Sequence, residues 1–420
     1  MGYLDTSHIQ LGDGPQVDAF SRLRISNPIT LLDSSLEYGK RLDVWEEWFT
    51  GSGSAAANTT TSSVNLQTTT ASGDKASRQS HRYTRYQPSK SHLIVMTAVL
   101  GAPATNLRRR LGYFDDYNGV YFEQTSSGLA VKVRTSTSGS AVDSSPVYQS
   151  SWNIDKFDGT GPSGITLNQS NGQIFFIDLQ WLSLGRIRFG FVVNGQLYYC
   201  HQVLNANNIA LPYMATASLP IRYELENLGT TSSSNTFMQI CCAVISEGSN
   251  DSSTVQQQCA FTPLTGRTIS SNNRTPLLTI EPKLTFNSVL NRGQIIPNGW
   301  NVNILPNSNN LLYSTIEIVL GWPGNPVTLT GASFSSVNSL SICNVDTSAT
   351  AISGGQTIDA ASIITIGNNT QSSAGTIMDN LIDVILGLNH SGTIPDSLSI
   401  VVTNSISATV VGNITFDEKL

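Results

Sequence analysis

The chain has 420 residues, only 12% of them charged, with a net charge of −6. That length accommodates two or three domains with a substantial core. The acidic balance excludes a nucleic-acid partner, which needs a basic footprint, and no apolar run is long enough to span a bilayer. Ser, Thr and Asn fill the polar positions, so the surface is neutral and hydrogen-bonding, as in β-rich shell, fibre and adhesion proteins.

The first ten residues, MGYLDTSHIQ, lack the basic region and apolar core of a signal peptide. The stretch Asp18 to Asp33 then carries Phe20, Leu23, Ile25, Ile29, Leu31 and Leu32, too many apolar side chains to leave in water. Pro28 breaks any helix there. We read residues 1–44 as an extended arm that buries these side chains on another surface, such as a neighbouring subunit. Arg22 and Arg24 would add charge-assisted hydrogen bonds to the partner. The other reading is a loose terminal tail.

Val44 to Phe49 opens the first folded domain, spanning residues 45–261. Gly51 to Gly73 is either a long exposed loop or polar strands with a solvated face. Leu93 to Leu100 is short, continuous and apolar, which predicts a buried strand. Gly112 to Phe122 and Leu129 to Arg134 predict two more strands, with Gly119 and Gly128 at the turns. Arg108, Arg109 and Arg110 form the one basic run, expected at a strand end facing carboxylates. Val147 to Trp152 reads as a strand and Asp155 to Gly164 as a loop.

The clearest signal follows. Ile174 to Trp181 reads as a central strand largely buried on both faces. Arg186 to Val193 and Gln196 to Val203 flank Asn194-Gly195, a pair that favours φ > 0 at both turn positions and so predicts a tight hairpin. Ile221 to Leu225 and Phe237 to Ser246 complete the domain.

Residues 262–275 are rich in Thr, Ser, Asn and Gly and read as a linker. A second domain, residues 276–420, has candidate strands at Leu277 to Ile280, Gly299 to Ile304, Leu311 to Leu320, Val327 to Leu329, Ile363 to Ile366, Leu398 to Val402, Ile406 to Val411 and Ile414 to Phe416. Ile377 to Leu388 has apolar residues at helical spacing and is the helix candidate. The expected fold is therefore all-β: an antiparallel sandwich or jelly roll, a smaller second β domain and an extended N-terminal arm.

Candidate chemistry is sparse. The five histidines are scattered, and the familiar catalytic spacings are absent. His201 on its strand reads as a packed or interfacial residue. Glu123, Glu224 and Glu226 are the nearest strand acids for a glycan-cleaving pair, and no such role is assigned to them. Asp115, Asp116 and Asn118 in one loop, and Asp155 and Asp158 in another, suggest calcium. Each loop offers too few side-chain oxygens for a full shell, and the other reading is turn formation. No other cofactor is implied. The tryptophans stack on sugars if exposed and are core residues otherwise. Five cysteines, two of them adjacent and none at zinc-like spacing, read as free thiols made in a reducing cytoplasm.

Several phrases, in order, resemble a family of virion structural proteins of tailed bacteriophages: DAFSRLRISNPITLLDS from Asp18, GYFDDYNGVYF from Gly112, QSSWNIDKFDGTG from Gln149, SGITLNQSNGQIFFIDLQWLSLGRIRFGFVVNG from Ser163, LPIRYELEN from Leu219, RTPLLTIEPK from Arg274 and NRGQIIP from Asn291. The resemblance fades over the last hundred or so residues. It implies a non-enzymatic particle component, assembled in the host cytoplasm, with other virion proteins as partners. The tail apparatus (fibre, adaptor or baseplate) is favoured, with head decoration as the alternative. A cyclic homo-oligomer, a trimer by preference, is expected on particle symmetry. The phrase RIRFGFVVNGQLYY is also similar to the strand pair of concanavalin-like, laminin-G-type jelly rolls, so a lectin-type module for host-surface glycan is the rival reading.

Overall fold

The computed structural model describes residues 17–18, 22–24, 27–248, 256–308, 310–366, 371–375 and 384–420. The chain divides into two units, Met1–Asn250 and Asp251–Leu420. Antiparallel strands dominate both, and among the described residues no helix is long and apolar enough to cross a membrane.

The first unit is a jelly-roll sandwich. One sheet runs in the spatial order Gln196–Val203, Ile187–Val193, Gly172–Leu179, His92–Val99, Asn235–Glu247, Ser63–Thr68, Ser54–Asn58. The other runs Val142–Asp143, Gly128–Thr135, Gly119–Thr125, Leu107–Phe114, Ile221–Asn227, Lys75–Ser80, Trp45–Thr50. Gly51 to Gly73 thus resolves into two polar strands, the second of the two readings above. The predicted hairpin turns at Asn194 and Gly195, with φ of 51° and 79°. Its strands pair across one bulge that leaves Cys200 as the extra residue.

Gly172–Leu179 is buried on both faces from Phe175 onward. Phe175 and Ile177 point into the core, where the Phe175, Phe189 and Phe191 rings lie 5.1–5.5 Å from that of Phe122 in the opposite sheet. On the other face Phe176 packs on Tyr199 at 5.2 Å. Gly190 admits it, since a Cβ there would sit 2.4 Å from the Phe176 ring.

The described part of the arm expected over residues 1–44 belongs to this unit. Pro28–Ser34 pairs with the Cys242–Glu247 end of the 13-residue strand Asn235–Glu247. Ser63–Thr68 pairs only with the other end, Asn235–Gln239, of that strand. A long strand with half of one edge unpaired recruits the N-terminal segment, because buried backbone groups need partners. Leu32 and Leu36 join the core cluster.

The second unit has two larger sheets. One is ordered Gln256–Phe261, Ala408–Lys419, Gln294–Pro306, Gln371–Gly375, and Arg267–Ile269 also pairs with Ala408–Lys419. The other is ordered Ser335–Ser336, Cys343–Asp346, Thr275–Pro282, Ser397–Asn404, Leu311–Gly321, Gln356–Ile366. Two sequence expectations are corrected here. The boundary falls before Gln256–Phe261, because that strand pairs with Asn413–Glu418 and not with the first unit. The supposed linker is structured as well: Ile269 is buried, and the Arg267 guanidinium donates to the carbonyls of Pro276, Leu277 and Ala349. Most of the helix candidate Ile377 to Leu388 lies outside the described residues. Its end is extended, with Leu386 bridging Ile295 and Leu388 bridging Pro395.

Candidate functional site

The described residues among those assigned to the arm meet their own unit. Arg24 Nη2 lies 2.6 Å from Asp178 Oδ2, and Arg24 Nη1 lies 3.2 Å from Glu247. Arg22 pairs with Asp18 and donates to the Ser89 carbonyl. Ile29 is half-buried, Leu31 packs against the core, and Leu23 is half exposed. Phe20 and Ile25 lie outside the described residues.

Asp178 anchors this contact. It is fully buried on the central strand, and its Oδ2 also accepts from Arg188 and from the Tyr199 hydroxyl. The Arg188 guanidinium lies 4.2 Å from the centre of the Tyr199 ring and donates to the Val17 carbonyl. Sequence reasoning missed this cluster. The available signal was an acid inside a strand buried on both faces, which requires a charged partner; Arg188 is its register partner.

The two acidic loops show turn chemistry. Asp115 Oδ1 accepts the amides of Tyr117 and Asn118 at 2.8 Å, and Asp116 is taken by Arg222. Asn118 Oδ1 accepts from the amides of Ser136 and Ala215. Asp155 holds the amides of Phe157 and Ser163, and Asp158 that of Thr160. Each of these side chains thus has at least one oxygen facing an N–H donor. Among the described residues no cluster of three or more His, Cys, Asp or Glu is placed to hold a metal ion.

The outer face of the second sheet carries the densest ionic network. Leu107–Phe114 and Ile221–Asn227 pair so that Arg108 faces Glu226 and Arg110 faces Glu224. Alternation therefore lays two arginines against two glutamates, and both pairs close to 2.5 Å. Glu224 also meets Lys75 at 3.1 Å and Arg222 at 3.4 Å. Burial pushes the Glu224 carboxyl up, but Arg110, Arg222 and Lys75 outweigh it and hold it well below the usual carboxylate range. Arg222 is itself buried, 5.0 Å over the Trp48 ring. Glu123 pairs with Lys132 at 3.5 Å. The basic run thus meets carboxylates of its own chain. Arg109 points the other way, to Gln124.

His201 is packed: it is largely buried, and its Nδ1 accepts the amide of Asn153. Trp45, Trp152 and Trp300 are core residues, while Trp48, Trp181 and Trp322 are half-buried. An open cleft of about 280 Å³ is lined by Ser127, Leu129, Tyr148, Gln149, Ser150 and Asp158.

No protein-family model matches the chain, and none of the curated proteins matches it. Solved structures similar to it are legume-lectin-type jelly rolls and related folds. The carbohydrate recognition domain of Emp47p is 11% identical, covers 51% of this chain and 94% of its own, and has a TM-score of 0.31. Lectin II from Ulex europaeus is 8% identical over 52% of this chain and 100% of its own, with a TM-score of 0.33. A β-glucanase of Bacillus licheniformis is 10% identical over 52% and 98%, with a TM-score of 0.32. At these scores the likenesses carry no argument about what the chain binds or does, and none of these three is a virion protein.

Proposed function

We propose that this chain is a structural component of a tailed-bacteriophage virion, placed in the tail apparatus, which works through assembly contacts and catalyses no reaction. Head decoration is the alternative position. The reading is supported by the phrases shared with that virion family from Asp18 to Pro297. The state of Glu123, Glu224 and Glu226 supports the non-catalytic part of this reading. Glu224 is buried among three cations, Glu226 is paired with Arg108, and Glu123 with Lys132. A general acid or base needs a free carboxyl within reach of substrate, whereas these carboxylates join one strand to the next. Mass spectrometry of purified particles tests the proposal, with reconstruction of labelled particles to place the chain. A chain recovered only from the soluble fraction of a lysate sinks it.

A second reading rests on the open cleft, which Tyr148 lines together with the polar residues Gln149, Ser127 and Asp158, the mixture that binds sugars. A glycan array on the intact chain and on Tyr148→Ala tests it. Glycan signals unchanged by the substitution, or no signal at all, count against this cleft.

A further inference from the structure

In the six-stranded sheet of the second unit, Gln356–Ile366 is the end strand. It pairs with Leu311–Gly321 on one side, and among the described residues no strand pairs with its other side. Open edges template pairing with another chain, and proteins normally blunt them with charge, proline, a bulge or a covering loop.

The first unit does this. Its end strand Gln196–Val203 is covered by Asn153, whose side chain both donates to the Gln202 carbonyl and accepts its amide, each at 2.9 Å. The amides of Ile154 and Asp155 cover the Cys200 carbonyl beside it. The first part of Gln356–Ile366 is blunted too. Ile358 is bulged out of register, and Asp359 Oδ1 accepts the amide of Ala360 at 2.8 Å. The other oxygen of Asp359 is turned to Trp300 Nε1 at 3.0 Å.

From Ala361 to Ile366, ASIITI, there is no charge, no proline and no bulge in the register. The segment also contains no Gly and is mostly β-branched. Ile364 is 62% exposed, and its register partner Tyr313 on the neighbouring strand is 53% exposed. Directly opposite residues project to the same sheet face, so an apolar pair flanks the open edge.

We infer that this edge is an interface for a second copy of the chain. Two identical strands meeting antiparallel across a twofold axis are self-complementary. The lack of charge in Ala361 to Ile366 means that self-pairing brings no like charges together. The same axis gathers Ile364 and Tyr313 of both copies into one apolar cluster, and the two six-stranded sheets become continuous. An isologous contact closes at two copies, so it predicts a dimer in place of the trimer expected from particle symmetry. The inference goes beyond the assembly role and stands or falls whether or not the chain is found in particles.

Light scattering coupled to gel filtration of the full chain, with hydrogen exchange on the amides of Ser362 and Ile364, tests it. The expected result is a mass of twice the chain, with both amides protected. Ile364→Lys, and separately Ser362→Lys, are expected to give monomers with an unchanged circular dichroism spectrum and faster exchange at both amides. Ser362 is exposed, so at least one variant places its charge without entering the core. A monomeric parent at high micromolar concentration overturns the proposal. So does a dimer or trimer that persists in both folded variants, or a parent whose edge amides exchange freely.

Discussion

Arg24 and Asp178 are 154 residues apart in sequence and 2.6 Å apart in the fold. This pair fastens the N-terminal segment onto the central strand of the first sheet. The two partners are not equivalent. Asp178 also neutralises Arg188, which is completely buried, whereas Arg24 keeps a second acid, Glu247. Asp178→Ala is therefore expected to destabilise the first unit by about 3–5 kcal/mol, the usual cost of removing one partner of a buried ion pair. Arg24→Ala is expected to cost about 1.5–3 kcal/mol, the range for one charge-assisted hydrogen bond. Urea unfolding followed by hydrogen exchange within the first unit checks the order; equal effects would mean that Arg188 is compensated elsewhere. Deleting residues 1–40 is expected to destabilise this unit, since it removes the strand Pro28–Ser34 and the core residues Leu32 and Leu36.

The two units are expected to answer acid in opposite directions. In the first, burial lowers the His92 pKa from 6.5 to about 4, with Lys90 adding to the effect. The folded state then binds fewer protons than the unfolded one, so stability is lost as pH falls from about 6.5 toward 4, by on the order of 3 kcal/mol. In the second, burial raises the Glu281 carboxyl from 4.5 to about 7; Asn344 opposes the shift and Asp346 adds to it. Here the folded state binds more protons, so stability is lost as pH rises from 4.5 through 7. Hydrogen exchange at pH 5 and pH 8, reported unit by unit, should show the crossing. Glu281→Gln should flatten the response of the second unit alone.

All five thiols are free, with Cys241 and Cys259 exposed and Cys200, Cys242 and Cys343 buried. Burial pushes the Cys242 thiol well up, so it is neither accessible nor ionised. Native alkylation should label the two exposed cysteines and denaturation should release the other three. A bridge that survives denaturation without reductant would contradict this arrangement.

The unit boundary can be tested by cutting the chain. A fragment of residues 251–420 retains Gln256–Phe261, which pairs with the last strand and buries Ala260. It should melt cooperatively. A fragment of residues 262–420 loses that strand and bares the Asn413–Glu418 part of one edge of Ala408–Lys419, so it should melt lower or aggregate. Equal melting would show that the strand adds nothing.

Local chemistry made much of this protein legible in its sequence. Asn194-Gly195 specifies a hairpin because few other pairs adopt two positive φ angles in succession. Phe175 to Leu179 announce burial on both faces, and most strands of the first unit follow from two-residue periodicity. Periodicity also separated candidate strands Ile406 to Val411 and Ile414 to Phe416, which are one strand, Ala408–Lys419. What sequence does not encode locally is the identity of a partner. Arg24 reads as a cation seeking any carboxylate, and only the packed sheet supplies Asp178. Gln256–Phe261 reads as the end of the first domain, and only pairing with a strand some 150 residues later assigns it to the second. The acids Glu224 and Glu226 look free on their strand until register sets Arg110 and Arg108 opposite them. Side-chain alternation is written in the chain, whereas register and strand order depend on contacts between distant segments, and the ionic chemistry of this molecule depends on both.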